Sequence, residues 1–130
     1  MPSLGEETLG IGAVENWALA FVLTQLVEVP ILAAWLRAKP LRERLLLAFG
    51  ASALTHPILW FVLRPLLLPT SMVAYVVVGE AFATLVEAWY LRRFGGLEHA
   101  LLASVSSNAA SWTVGRLLFA VLPALLGAGQ

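Results

Sequence analysis

Along this chain the apolar positions neither alternate with polar ones nor mark out a single helix face. They run on. Four long stretches result, at residues 14–36, 45–63, 70–91 and 100–122. Each is broken by charge or proline: Arg37, Lys39 and Pro40 after the first, Arg64-Pro65 after the second, Arg92-Arg93 after the third and Pro123 after the fourth. A helix needs roughly 20 apolar residues to cross a hydrocarbon core. All four stretches meet that length, and all are far longer than the ~10-residue strands of a membrane barrel. Lipid offers no partner to open backbone groups, so helices are expected. Short connections make consecutive helices antiparallel neighbours. The pattern predicts an all-α polytopic integral membrane protein: one transmembrane domain over residues 1–130, folded as a four-transmembrane-helix bundle.

Composition strengthens this expectation. Hydrophobic residues make up 60% of the 130 positions and charged residues only 12%, against about half and a quarter in soluble domains. A soluble chain this short has too little interior to hide so much apolar surface. The lipid bilayer is therefore the expected surrounding. The formal net charge is zero, and the basic residues sit in short loops, so no nucleic-acid partner is expected. Cysteine is absent, which excludes disulfides, thiolate metal sites and CxxC redox chemistry. The first twelve residues, MPSLGEETLGIG, hold two Glu and no Lys or Arg. A secretory signal opens with a basic segment, so the first apolar run is expected to be a retained span.

Short loops rich in Lys and Arg stay cytoplasmic. Arg37, Lys39, Arg42 and Arg44 lie in one connection and Arg92 and Arg93 in another, both on the same side of a four-span arrangement. Both termini would then face the non-cytoplasmic side of a bacterial plasma (inner) membrane. Trp17, Trp60 and Tyr75 fall near the outer ends of the spans, and Trp35, Trp89 and Tyr90 near the inner ends, as wet–dry interfaces favour.

The two halves resemble each other. Leu26-Val27-Glu28 matches Leu85-Val86-Glu87, and Leu46-Leu47-Ala48 matches Leu101-Leu102-Ala103. In that register Ser52 meets Ser107 and His56 meets Ser111. A true duplication of this kind would give parallel halves with a site at their interface. Leu- and Ala-rich segments also align by chance.

The ionisable and polar residues within the spans carry most of the functional information, because a charge at the bilayer centre costs about 2.5–3.5 kcal/mol on insertion scales. Counted inward from the cytoplasmic ends at 1.5 Å per residue, Glu87 lies at ~6 Å, Glu28 and Asn108 at ~12 Å, Gln25, His56 and Glu80 at ~16 Å, and Arg116 at ~24 Å. Glu28, His56, Glu80 and Asn108 are thus expected to converge if they face inward, with Arg116 reaching down to Glu80. Glu80, Thr84 and Glu87 form one helical stripe, and Ser104, Asn108, Ser111 and Gly115 another. Ala103, Ser107, Ser111 and Gly115 also make a small-residue ladder, which predicts that the fourth helix is the most tightly packed. Simple packing accounts for its serines equally well. Pro30 and Pro57 free the carbonyls of Leu26 and Ala53 near Glu28 and His56. Those carbonyls would serve as acceptors for a ligand, or would mark ordinary kinks.

No glycine-rich phosphate loop, GxSxG, HExxH or di-acidic metal motif is present. His56 with Glu28 and Glu80 resembles a His/carboxylate metal set in residue type only, without diagnostic spacing. Three functions remain open. The first, which we favour, is a small transporter or ion-coupled permease, working as a homo-oligomer, with a midplane site of Glu28, His56, Glu80, Glu87, Asn108, Ser111 and Arg116. The second is an accessory or assembly subunit of a larger membrane complex. The third is a membrane-embedded enzyme acting on a lipid or polyprenyl substrate. Neither cofactor nor metal is specified by the sequence.

Overall fold

A computed structural model describes residues 13–127. The acidic N-terminal dodecapeptide lies outside the described residues, as does any test of its role. Five α-helices follow one another: α1 (Ala13–Trp35), α2 (Leu41–Ile58), α3 (Arg64–Leu67), α4 (Met72–Gly95) and α5 (Ala100–Gly127). A π-helical stretch, Leu59–Leu63, joins α2 to α3 without a break. No strand occurs among the described residues. Among the described residues three helical rods are long and apolar enough to cross a membrane by length and composition: Val14–Trp35, Leu41–Leu67 and Met72–Gly95, with mean hydropathies of 1.8, 1.7 and 1.5. α5 is longer than any of them, but its first half is diluted by Ser104, Ser106, Ser107, Asn108 and Ser111.

The helices continue past two of the expected span ends. Arg64-Pro65 does not end the second rod, and Pro123 does not end the last helix. Pro65 lacks an N–H, and the helix absorbs this by widening. The Arg64 N–H donates to Leu59, five residues back, and Pro65 then opens the short α3. A proline in a first helical turn gives up no bond, because that N–H has no partner there anyway. The turn into α4 is capped by Ser71, whose hydroxyl accepts the Ala74 N–H at 3.2 Å. At the other end Gly96 takes φ +62°. That left-handed geometry lets the Gly96 and Leu97 N–H groups turn back to the Leu91 carbonyl.

The helices form a closed ring. α1 packs on α2 and α5, and α4 packs on the same two. At the end that holds residues 36–40 and 96–99, the centre is filled by leucines from one diagonal and alanines from the other. Leu32, Leu36 and Leu91 come from α1 and α4; Ala48, Ala51, Ala100 and Ala103 come from α2 and α5. Large side chains thus meet small ones, and Leu36 lies directly on the Cα of Gly95.

Burial fixes the internal correspondence of the two hairpins. Glu28 and Leu32 on α1 and Leu36 just past its end are buried, and Glu87, Leu91 and Gly95 are buried at the same spacing on α4. Ala48, Ala51, Ser52 and Thr55 are buried on α2, and Ala100, Ala103, Ser104 and Ser107 on α5. Matched by burial, the two hairpins pair Ser52 with Ser104 and His56 with Asn108. The second helix of each hairpin slides three residues from the register the sequence suggested. A slip of nearly one helical turn keeps similar residues on similar faces, which is why sequence likeness alone chose the neighbouring register.

The ring is apolar outside and polar within. Leu26, Val73, Leu85 and Phe119 are all more than 60% exposed, whereas Glu28 and Glu87 are 2% and 1% exposed. Water as the only solvent would favour the reverse. Lipid removes the conflict, and the chain is an integral membrane protein on this ground.

Candidate functional site

Above the leucine plug, two carboxyl groups form the centre of the molecule. Glu28 reaches inward from α1 and Glu87 from α4. Each collects donors from both α2 and α5. Glu28 accepts the Ser52 hydroxyl on one oxygen and the Ser111 hydroxyl on the other, the latter at 2.6 Å. Glu87 accepts Thr55 Oγ1 at 2.8 Å on Oε1 and Asn108 Nδ2 at 2.6 Å on Oε2. Ser104 stands 3.4 Å from the same oxygen, but its single proton has a better acceptor, the Thr84 carbonyl at 2.9 Å. Asn108 spends its second N–H on the Ser104 carbonyl at 3.0 Å. Every oxygen of both carboxyls therefore has a donor, and the four helices are tied together at one level. Buried polar groups are tolerated only when satisfied in this way.

The two hairpins, matched by burial, agree at some positions and differ at others. Ser52 serves Glu28 as Ser104 faces Glu87. Asn108 donates to Glu87, but its counterpart His56 donates nothing to Glu28. Instead the imidazole packs among Phe21, Trp17 and Trp60, with ring centroids at 5.5, 6.4 and 6.4 Å. Its Nδ1 is buried with no hydrogen-bond partner among the described residues.

A cavity of about 250 Å³ opens beside this network. It touches all four long helices and is lined by Glu28, His56, Glu80, Glu87, Asn108, Ser111 and Arg116, the whole set singled out from sequence. A second space of about 560 Å³ shares Trp60, Tyr75, Glu80, Trp112 and Arg116 with it and runs toward the Arg64 end of the bundle. Glu80 faces both. Among the described residues its carboxyl has no hydrogen-bond partner, so it is the free carboxyl of the cavity.

Several expectations are corrected by this geometry. Arg116 forms no ion pair with Glu80; its guanidinium lies 5.7 Å from the centre of the Trp112 ring, and the side chain is exposed. Glu28, His56, Glu80 and Asn108 do line one cavity, but only Glu28 and Glu87 have their carboxyl oxygens held by donors from α2 and α5. α5 is packed tightly only through Asn108. Beyond it the small-residue ladder opens, and nothing lies within 4 Å of where a Cβ on Gly115 would be. Pro30 and Leu26 both sit on the exposed face of α1, opposite the buried Glu28. Gln25 caps the Phe49 carbonyl at 3.3 Å instead of entering the cavity. No cluster of three His or carboxylate side chains suited to a metal ion occurs among the described residues.

Sequence reasoning gave no role to Thr55, although Thr55 links α2 to Glu87. Hydroxyl residues in a span are too common to stand out. A signal did exist for the cavity walls: Trp60 and Arg64 are spaced as Trp112 and Arg116 are, and only the corrected register aligns them. Compared with known protein families, curated proteins and solved structures, the chain finds no match.

Proposed function

We propose that the protein is a small transporter or ion-coupled permease whose solute site is the cavity between Glu28, Glu80 and Glu87. In this reading α5 is the fourth span: its polar residues point into the ring, so its own mean apolarity understates its fitness for lipid. The Lys/Arg-rich connections at residues 36–44 and 92–99 lie in the cytoplasm, and the termini lie outside a bacterial plasma membrane. The cavity then faces outward.

One observation carries the proposal. The polar chamber is lined by all four long helices, yet among the described residues only one of its ends is sealed. Leu32, Leu36 and Leu91 close the cytoplasmic side, and the opposite side runs into the wider space lined by Arg64 and Met72. A chamber at mid-depth with one gate shut is what a carrier needs in one of its two states, and two repeated halves supply the bodies that rock against each other. Glu80, unpartnered beside Tyr75 and Trp60, supplies the acceptor for a cation, a proton or a donor-bearing solute.

The test is flux in proteoliposomes containing the full chain. Glu80→Gln is expected to abolish coupled uptake of a solute that the wild type accumulates under a proton gradient, with the helical circular-dichroism spectrum unchanged. A wild-type protein that moves no solute of a broad cation, amine and amino-acid panel would reject the proposal.

A second reading, an accessory subunit of a larger complex, is favoured by the far half of α5. There Trp112, Thr113, Val114, Arg116, Leu117 and Phe119 are all exposed, so this stretch is free on nearly every side. Native mass spectrometry after gentle extraction separates the two. Copies of 14.0 kDa alone point to the self-contained carrier, and a stoichiometric larger partner points to the subunit.

A further inference from the structure

The wider space differs in kind from the polar chamber beneath it. Its walls carry Leu68, Met72, Val73, Val76 and Phe119. Two of its apolar lining residues, at the start of α4, are largely exposed: Met72 at 58% and Val73 at 71%. Two cations flank it. Arg64 stacks over Trp60 with its guanidinium carbon 4.3 Å from the ring centroid, and Arg116 lies over Trp112 at 5.7 Å. In the register set by burial, Trp60 answers to Trp112 and Arg64 to Arg116. One Trp–Arg pair thus lies on α2 with its continuation and the other on α5, on two walls of one groove. Among the described residues neither guanidinium has an anionic partner; the ion pair that does occur, Lys39–Glu43, is at the opposite end. Glu80 lies at the inner end of the same groove.

We propose that this groove binds a phospholipid whose headgroup carries O–H or N–H donors. Arg64 and Arg116 take the phosphate, the apolar wall takes the upper part of the acyl chains, and Glu80 accepts from the headgroup. Guanidinium forks match phosphate oxygens in bidentate fashion. Tryptophans mark the depth of a bilayer interface, where lipid phosphates lie. A water-soluble anion would use the arginines but gain nothing from the apolar wall. The size suits the part of a lipid next to its phosphate, since small-ligand sites span ~300–1,000 Å³. The proposal rests on the membrane placement given above and requires no transport.

The experiment uses full-length protein, stripped of lipid in a neutral detergent. Dioctanoyl phosphatidylglycerol, dioctanoyl phosphatidylcholine and inorganic phosphate are titrated, and bound lipid is read by native mass spectrometry and tryptophan fluorescence. Phosphatidylglycerol is expected to bind at least about tenfold more tightly than phosphatidylcholine, the difference set by one charge-assisted hydrogen bond. Glu80→Gln should narrow that gap. The double variant R64Q/R116Q should lose both lipids, and R64K/R116K should keep part of the affinity, since it retains charge without the fork. Val76→Trp fills the groove while leaving both arginines in place, and it should block binding even if the glutamine variant fails to fold. Equal affinity for the two lipids, unchanged binding by folded R64Q/R116Q or by Val76→Trp, or displacement of phosphatidylglycerol by equimolar inorganic phosphate would each overturn the proposal. Protein that leaves the membrane in an alkaline wash would instead show that the membrane placement itself had failed.

Discussion

Replacing Glu87 by leucine removes a group that ties three helices together, and the structure sets the expected cost. Two donors lose their acceptor: Thr55 Oγ1 at 2.8 Å and Asn108 Nδ2 at 2.6 Å. Thr55 has poor substitutes in its own helix, the Ala51 and Ser52 carbonyls at 3.4 and 3.5 Å. Asn108 keeps its bond to the Ser104 carbonyl and is left with only the longer one to the Ser104 hydroxyl, at 3.3 Å, for its other N–H. A buried group left unsatisfied costs about 1–3 kcal/mol, and interhelical bonds in membrane proteins average ~0.6 and reach ~1.7 kcal/mol. Glu87→Leu should therefore destabilise the protein by about 2–3 kcal/mol. Glu87→Gln should cost less than ~1 kcal/mol, because its oxygen can face Asn108 while its amide donates to the Thr55 hydroxyl, which accepts as readily as it donates. Removing both partners in Glu87→Leu/Asn108→Leu should recover about 1 kcal/mol relative to the sum of the single changes. Unfolding in mixed micelles, titrated with a denaturing detergent and followed by tryptophan fluorescence, measures all of these. A leucine variant as stable as wild type would refute the reasoning. So would a glutamine variant as weak as the leucine one, since hydrogen bonding would then not be what holds Glu87 in place.

Gly96→Ala should cost roughly 1–2 kcal/mol in the same assay, because a Cβ is disfavoured in the left-handed geometry at φ +62°; Gly96→Asn should cost less. Gly50→Ala places a methyl against the Tyr90 hydroxyl and should destabilise by about 1–3 kcal/mol, with much of the loss returned by adding Tyr90→Phe. Ser111→Val cuts the bond from α5 to Glu28 across the two hairpins, and should lower stability by about 1 kcal/mol while leaving the own-hairpin pair Ser52–Glu28 intact. Trp35→Phe removes the 3.2 Å bond to Ser106 and should cost about 1 kcal/mol, a loss that Ser106→Ala made in the Trp35→Phe background should not deepen.

The long apolar runs determined by themselves that this chain is helical and belongs in lipid, because no other solvent tolerates such surface. The rare ionisable residues within those runs marked the polar layer, because each is too costly there to be idle. Glu28 and Glu87 were legible as equivalent positions for the same reason: a glutamate in an apolar run has few rivals for alignment. Tertiary structure decided the rest. Whether Glu80 or Glu87 would find donors depended on how α4 is rotated against α2 and α5, and a helix that is apolar nearly all round carries no stripe that reports its rotation. The pairing of Ser52 with Ser104, and of Trp60 with Trp112, needed the burial of neighbouring alanines, since small residues recur every three or four positions and let a sequence match slip by one turn. The fates of His56 and Asn108, one packed among aromatic rings and the other bonded to a carboxyl, were set by what faces each of them across the ring. Contacts between helices that are distant in the chain leave no local pattern from which that could be read.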